Sequence, residues 1–598
     1  MILSSSRIGS LGGLDTDRSP LIPGDSFLRL RGVHFNEQGS LTRWKGFTKN
    51  VQGQIMGLLN ESGIPAVFTG LFPYLKSSGA RHVIGTARDV YKQDPTNVWA
   101  VIKSGQTGTK NDLYDAIQYN DRLFICNGVD PNLYYDGTSV FGMGIAAPTV
   151  ASVATLNGIG VLTGTYSYRV AFLNAAGDES NMGPVSNGLV TTLNGLLLSN
   201  IPASTDPQVT ARRIYRTTAN GAVYLQVADI ADNTTTTFSD NNGDGVLGIR
   251  GVTFSFGIPP PALFFVMHRG HLFMAKKNGT EVLFSAPGKP TVFHPNDVRD
   301  LDRFDGITIT GGVVISGILV IFKSNSIWNI GGEDRTNFAF TKQVHSIGAM
   351  NHHGIVKIPG KPVVAFPSED GFYMYDTVRE TVISDPISPE YRKLNQGRLP
   401  NIVGVPYKKP NNMILWLASS GGSPVHDTLV VWDYFQNKWA MRDIPTVQSN
   451  IIKLLTDPFG NERFYLGGID GYVRQGDDGF SDDTANIITD IVTRPFPSES
   501  NKGQFKNFYS LEFYYGPPSN AFAAASIDIY GSVTTEEGPF TKIGTIVMDK
   551  ENGISALNFN LYGEMLFLRF TETSTAYPFV IRGWKLHYRE TGRRIKPN

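Results

Sequence analysis

The sequence predicts an all-β protein: a β-propeller of six to eight blades, with an inserted sandwich of fibronectin type III kind and a C-terminal β-sandwich domain. Three observations carry this. Seven short apolar segments each end on an aromatic at a turn. They are Val90-Tyr91, Tyr134-Tyr135-Asp136-Gly137, Val282-Leu283-Phe284-Ser285, Ile327-Trp328, Phe372-Tyr373-Met374-Tyr375-Asp376, Val431-Trp432-Asp433 and Gly471-Tyr472-Val473. Taking Tyr91, Tyr135, Phe284, Trp328, Tyr375, Trp432 and Tyr472, the spacings are 44, 149, 44, 47, 57 and 40 residues. Removing residues 148–255 as an insertion of 108 brings the outlier to 41, inside the blade range. Finally, 64 Gly, 34 Pro, 36 Phe and 24 Tyr in 598 residues suit short strands and tight turns rather than helices.

The elements follow in chain order. Residues 1–50 read as an arm with Gly12-Gly13, Pro20, Pro23 and Gly24, then a hairpin. Leu28–Phe35 alternates, Glu37-Gln38-Gly39-Ser40 turns, and Leu41-Thr42-Arg43-Trp44 returns. Such an arm is expected to supply a ring-closing strand from residues 28–44 or to dock on a neighbouring subunit. Residues 51–147 form the first part of the propeller and 256–480 the second. Between them, 148–255 hold the alternating run Thr165–Phe172, a polar turn Asn174–Ser180, and the strands Ala211–Arg216 and Val223–Val227. In the second part, Gly311-Gly312 and Gly317 divide Ile307-Thr308-Ile309, Val313-Val314-Ile315 and Ile318–Phe322 into adjacent buried strands. Residues 481–598 lose the blade spacing and read as a further all-β domain with a basic tail, Arg593, Arg594 and Lys596.

Composition narrows the function. Lys+Arg and Asp+Glu both number 53, so no overall basic field draws nucleic acid. Cys126 is the sole cysteine, which rules out an intrachain disulfide and fits folding in a reducing compartment. Residues 1–20 lack the apolar core of a signal peptide. The longest uncharged stretch, 306–322, is too short to span a bilayer as a helix.

Phosphate-loop, zincin, nucleophile-elbow and paired-cysteine motifs are all missing from the sequence. Weaker constellations remain. Asp240-Asn241-Asn242-Gly243-Asp244-Gly245 opens like a calcium loop, but its twelfth position is Gly251 rather than Glu, so a polar turn is expected. Asp297, Asp300, Asp302 and Asp305 interleave with Arg299 and Arg303, which favours a salt-linked surface loop over a glycosidase pair. Asp477-Asp478 and Asp482-Asp483 read as a solvated linker. Read as a strand, His352-His353 point to opposite faces and do not converge on one ion. Ser368-Glu369-Asp370-Gly371 only grazes the sialidase box. The anchor aromatics are expected to fill the gaps between blades. No catalytic, metal or cofactor residue is assigned.

The chain resembles the tail nozzle (tail tubular B) proteins of short-tailed bacteriophages. The resemblance lies in Gly12-Gly13-Leu14-Asp15, Ser26–Phe35, and Gly39–Phe47 with its Arg43-Trp44-Lys45-Gly46 close. It continues in Ser285–Thr291, Leu319–Trp328, Val431–Trp439 and Gly583–Tyr588. It implies a non-enzymatic virion component without cofactors, folded in the host cytoplasm. Such a subunit forms a homohexameric ring below the portal and adaptor, retains packaged DNA without sequence-specific binding, releases it at infection, and gives tail fibres a platform. Arg7, Arg18 and the Arg593-Arg594-Lys596 tail are candidates for partner contacts, with solvated ends as the plainer reading. The alternative function is a propeller-based glycan-binding adhesin or carbohydrate-active enzyme.

Overall fold

The computed structural model describes residues 3–8, 11–22, 24–49, 67–79, 81–86, 88–93, 99–251, 257–408, 412–456, 462–496, 504–516, 525–548, 553–572 and 579–593. Five strands open the chain: β1 (Leu3–Ile8), β2 (Phe27–Arg31), β3 (Val33–Phe35), β4 (Leu41–Arg43) and β5 (Phe47–Lys49). Seven units of four antiparallel strands follow among the described residues, at 70–103, 115–142, 262–300, 309–344, 356–382, 403–443 and 449–476; the last is completed by β5. Each aromatic anchor lies on the third strand of its unit or, for Tyr472, immediately before it. Tyr135, Phe284 and Tyr375 are wholly buried there. The regular spacing in the sequence is therefore the recurrence of one strand, the third, from unit to unit.

A four-stranded sheet has two apolar faces, and the neighbouring units cover both. Phe72, Tyr74 and Ile84 of the first unit pack on Leu123, Ile125 and Tyr135 of the second. Phe124 and Tyr134 of the second meet Phe265 and Met274 of the third. Phe264 and Phe284 of the third join Leu319 and Ile321 of the fourth, whose Phe322 packs on Phe366 of the fifth. The fifth to seventh units share one cluster with Phe68 and Leu71, which closes the ring onto the first. The first strands of the last and first units also lie side by side. Burial of these faces is the main stabilising term, and only a closed ring supplies it to every sheet.

The ring-closing strand comes from a different place than expected. It is Phe47–Lys49, which pairs antiparallel with Val473–Gly476, and not a strand within 28–44. Phe47 is wholly buried against Phe464, with ring centroids 5.8 Å apart. Residues 28–44 fasten the other end of the molecule. β2 lies between Lys438–Asp443 of the sixth unit and Thr489–Thr493, so one nine-stranded sheet runs from the propeller into the C-terminal domain. β3 and β4 form the hairpin, and β4 and β1 both pair with Val580–Arg593 in the second C-terminal sheet. Arg43 seals this junction through Glu572 at 3.0 Å, both side chains being 1% exposed. Gly46 has no alternative residue: a Cβ there would sit 1.9 Å from the Ser481 carbonyl oxygen.

Two three-stranded sheets lie between the second and third units. Val153–Tyr166, Leu189–Ser199 and Phe238–Asp240 make one, and Tyr168–Asn174, Val209–Thr217 and Tyr224–Ile230 the other. Tyr168, Leu196, Leu198 and Ile214 fill the space between them. Gly311 and Gly312 do not divide two strands as expected, because Ile309–Ile315 runs straight through them. Among the described residues no helix is long and apolar enough to cross a membrane.

Candidate functional site

The loops that enter the first strands of the units converge at one end of the ring. Asn111–Leu113 lead into Asp115–Tyr119, Thr308 into Ile309–Ile315, Met350–His353 into Val356–Lys357, and Pro400–Asn401 into Val403–Tyr407. With Asn127, Leu263, Lys277 and Asn278 they enclose a cavity of about 290 Å³. Four of these first strands belong to different units, so the cavity exists only because the ring is closed.

Its walls are held by committed hydrogen bonds. Asn351 donates Nδ2–H to the carbonyls of Leu399 and Ile402, at 3.3 and 3.0 Å, and its Oδ1 accepts the Gly354 N–H at 2.7 Å. Asn127 donates to Asp130 and accepts two backbone N–H groups. Asp112 accepts from Thr109 and pairs with the Lys277 ammonium. Burial works against the Asp112 charge, but Lys277 and Thr109 outweigh it and hold the pKa below the usual carboxylate value.

Next to this cavity lies an ionic cluster. Asp115 is 7% exposed; its Oδ2 accepts the Phe265 N–H at 2.9 Å and faces His352 Nε2 at 3.5 Å. His352 Nδ1 accepts the Gly312 N–H at 3.3 Å, which leaves the ring hydrogen on Nε2 for the carboxylate. The imidazole stacks on Phe264 at 4.8 Å and 12°. A Cβ on Gly312 would come within 2.7 Å of that phenyl ring, which is why the strand carries glycine there. Burial opposes the Asp115 charge, yet His352, His353 and Lys453 overcome it, so its pKa lies well below the ordinary carboxylate range. Burial, then Lys453 and His352, push His353 down to about 3 and keep it neutral. Lys453 is also lowered by burial, with Asp115 opposing the shift. Among the described residues no group of three or more His, Cys, Asp or Glu is placed to hold a metal ion.

The residues singled out from the sequence are dispersed. His352 and His353 are in a turn, not a strand, with ring centroids 5.5 Å apart, so the opposite-faces argument does not apply. The calcium-like loop is filled by a guanidinium. Arg216 donates Nη1–H to Asp240 at 2.7 Å and Nη2–H to Asp244 at 2.8 Å, while Asn241 accepts the Val161 N–H. The acidic run is salt-linked, mostly to the next unit rather than to its own arginines. Asp297 pairs with Arg335, Asp302 with Lys342 and Asp305 with Lys323, whereas Asp300 takes Arg303. Asp297 is only 3% exposed, so the surface-loop reading fails for it.

The linker reading fails at Asp482 and Asp483. Asp482 is buried against Arg442 and accepts the Phe47 N–H, and Asp483 pairs with Arg474 and Lys49. These carboxylates anchor the ring-closing strand. Asp370 accepts from Tyr373 in a hairpin turn, away from the cavity. Arg18 is largely exposed beside Asp15. Arg594 and Lys596, and the side chains of Arg7 and Arg593, lie outside the described residues. Sequence reading missed Asp112, Asp115, Lys277 and Lys453; position at the mouth of a first strand was the available signal.

No family model matches the chain, and no curated protein is matched by it. Solved structures give distant likenesses. One is an exo-β-1,3-galactanase of Phanerochaete chrysosporium with galactose, at 7% identity and TM-score 0.17, covering 87% of this chain and 100% of that one. Another is PorZ, a surface component of the type-IX secretion system of Porphyromonas gingivalis, at 9% and 0.24, covering 91% and 81%. Scores this low carry no argument about activity.

Proposed function

We propose that this chain is a structural subunit of the tail nozzle of a short-tailed bacteriophage. It builds a ring of identical copies that extends the DNA channel below the portal and adaptor, holds the genome until infection and lets it leave. The observation that supports this reading is where the shared residues act. Gly13 and Leu14 exchange backbone hydrogen bonds with Phe27 and Trp439, and β2 to β4 enter the C-terminal sheets. The Arg43–Phe47 close joins Glu572, Ser481 and Asp482. These residues thus join propeller and C-terminal sheets into one block, as a subunit that passes force around a ring requires. Ring assembly needs heterologous contacts whose rotation closes. A balanced net charge suits a conduit, because each phosphate neutralised by the wall would hold the DNA back.

The test is the mass of the full chain in solution by light scattering, alone and mixed with tail adaptor complex. A hexamer, or six copies joining the adaptor, supports the nozzle. A monomer or trimer indifferent to the adaptor overturns it.

A further inference from the structure

We infer that the cavity at the mouth of the ring is a binding site for a hydroxyl-rich ligand, one sugar residue of a glycan. This goes beyond the nozzle reading and does not depend on it. Three polar side chains on the cavity, those of the exposed Asn278 and the half-buried Thr308 and Asn401, have no hydrogen-bond partner among the described residues. The amides that hold the walls, Asn127 and Asn351, are by contrast bonded at both their nitrogen and their oxygen. Fixed walls with uncommitted donors and acceptors are the arrangement of a preorganised site.

The chemistry selects hydroxyls. Two amides and one hydroxyl both donate and accept, matching groups that also do both. The Asp112 carboxylate is already taken up by Lys277 and Thr109, so it fixes the wall, and the ion pair contributes no net charge to the cavity. Leu263 and Met350 provide apolar surface for the C–H face of a sugar ring. The volume, about 290 Å³, is at the small end of ligand sites and suits one ring rather than an extended chain.

The experiment is saturation-transfer NMR of the full chain with the methyl glycosides of glucose, galactose, N-acetylglucosamine and glucuronate, each at about 10 mM, enough to populate a millimolar site. The expected result is transfer to at least one glycoside. That signal should fall about tenfold in the double variant Thr308→Val with Asn401→Leu, whose melting temperature matches the parent. A second variant, Asn278→Ala in an exposed turn, checks the result if the double variant folds poorly, and should weaken binding in the same direction. No transfer from any of the four glycosides overturns the proposal. Transfer that survives in the folded variants overturns it equally.

Discussion

Arg442 and Asp482 offer the sharpest test of how the ring is closed. Arg442 is wholly buried, its Nη2 lies 2.5 Å from Asp482 Oδ1, and its guanidinium covers the Phe47 ring at 4.2 Å. Among the described residues its Nε and Nη1 have no hydrogen-bond partner, so Asp482 is the one carboxylate bonded to it, with Asp477 adding attraction from farther away. Burial raises the Asp482 pKa despite Arg442, which marks desolvation as large on both sides of the pair. Replacing Asp482 with Ala leaves a buried cation unpaired, a change that costs about 3–5 kcal/mol. For a cooperative unit of about 400 residues, an unfolding entropy of about 2.1 cal/mol/K per residue converts this to a fall of roughly 4–6 °C. Differential scanning calorimetry reads it. Arg442→Met combined with Asp482→Leu should recover most of the loss. The remaining deficit should be about 1 kcal/mol, because the Phe47 N–H also loses its acceptor. An unchanged melting temperature in Asp482→Ala, or strictly additive single effects, would refute the reasoning.

Two further outcomes follow from buried groups. His426 donates Nε2–H to the Asn401 carbonyl and accepts from Ser419 at Nδ1; burial, then Arg398, push its pKa down to about 4. The unfolded chain takes up this proton below its ordinary value of 6.5 and the native state only near 4, so the contribution is complete above pH 6.5 and declines on acidification. The slope is at most about 1.4 kcal/mol per pH unit, and urea titrations of His426→Gln should show it flattened; a wild-type slope in the variant contradicts this. In the inserted sandwich, Arg216→Gln strands the buried Asp240 and should lower that domain's stability by about 3–5 kcal/mol. Calcium should leave the wild-type melting temperature unmoved, since Arg216 already occupies the loop; a calcium-dependent rise shows otherwise.

The repeats were legible because an aromatic recurs at the third strand of each unit, a position that solvent never reaches at Tyr135 or Phe284. The alternating run Thr165–Phe172 was only half legible: Thr165 and Tyr166 end one strand, and Tyr168–Phe172 open the next in the other sheet, because the chain crosses between sheets at Ser167. Phe47–Lys49 was not legible. Three residues are too short to show a period, and their partner lies more than four hundred residues away. The acidic residues at 482 and 483 misled for a related reason: a polar run in a turn-rich stretch looks solvated until the buried arginines it meets are known. The cavity was invisible for a third reason. Asn278, Thr308 and Asn401 are ordinary loop residues, and only ring closure brings them together. His352-His353 drew notice, but the assumption of a strand gave the pair the wrong geometry.

The pairing of β1 with Val580–Arg593 has a mechanical consequence. The strands are antiparallel, so Leu3 stands opposite Arg589 and Ile8 opposite Trp584, with the start of one strand beside the end of the other. Tension applied between Leu3 and Arg589 therefore loads one rung at a time, like a zipper, instead of shearing all rungs together. Pulled that way, the first strand peels at low force while the ring behind it stays latched by Phe47–Lys49. Tension carried between the propeller and the C-terminal sandwich instead crosses β2, which meets Lys438–Asp443 at the single rung Arg31–Met441 and Thr489–Thr493 at four.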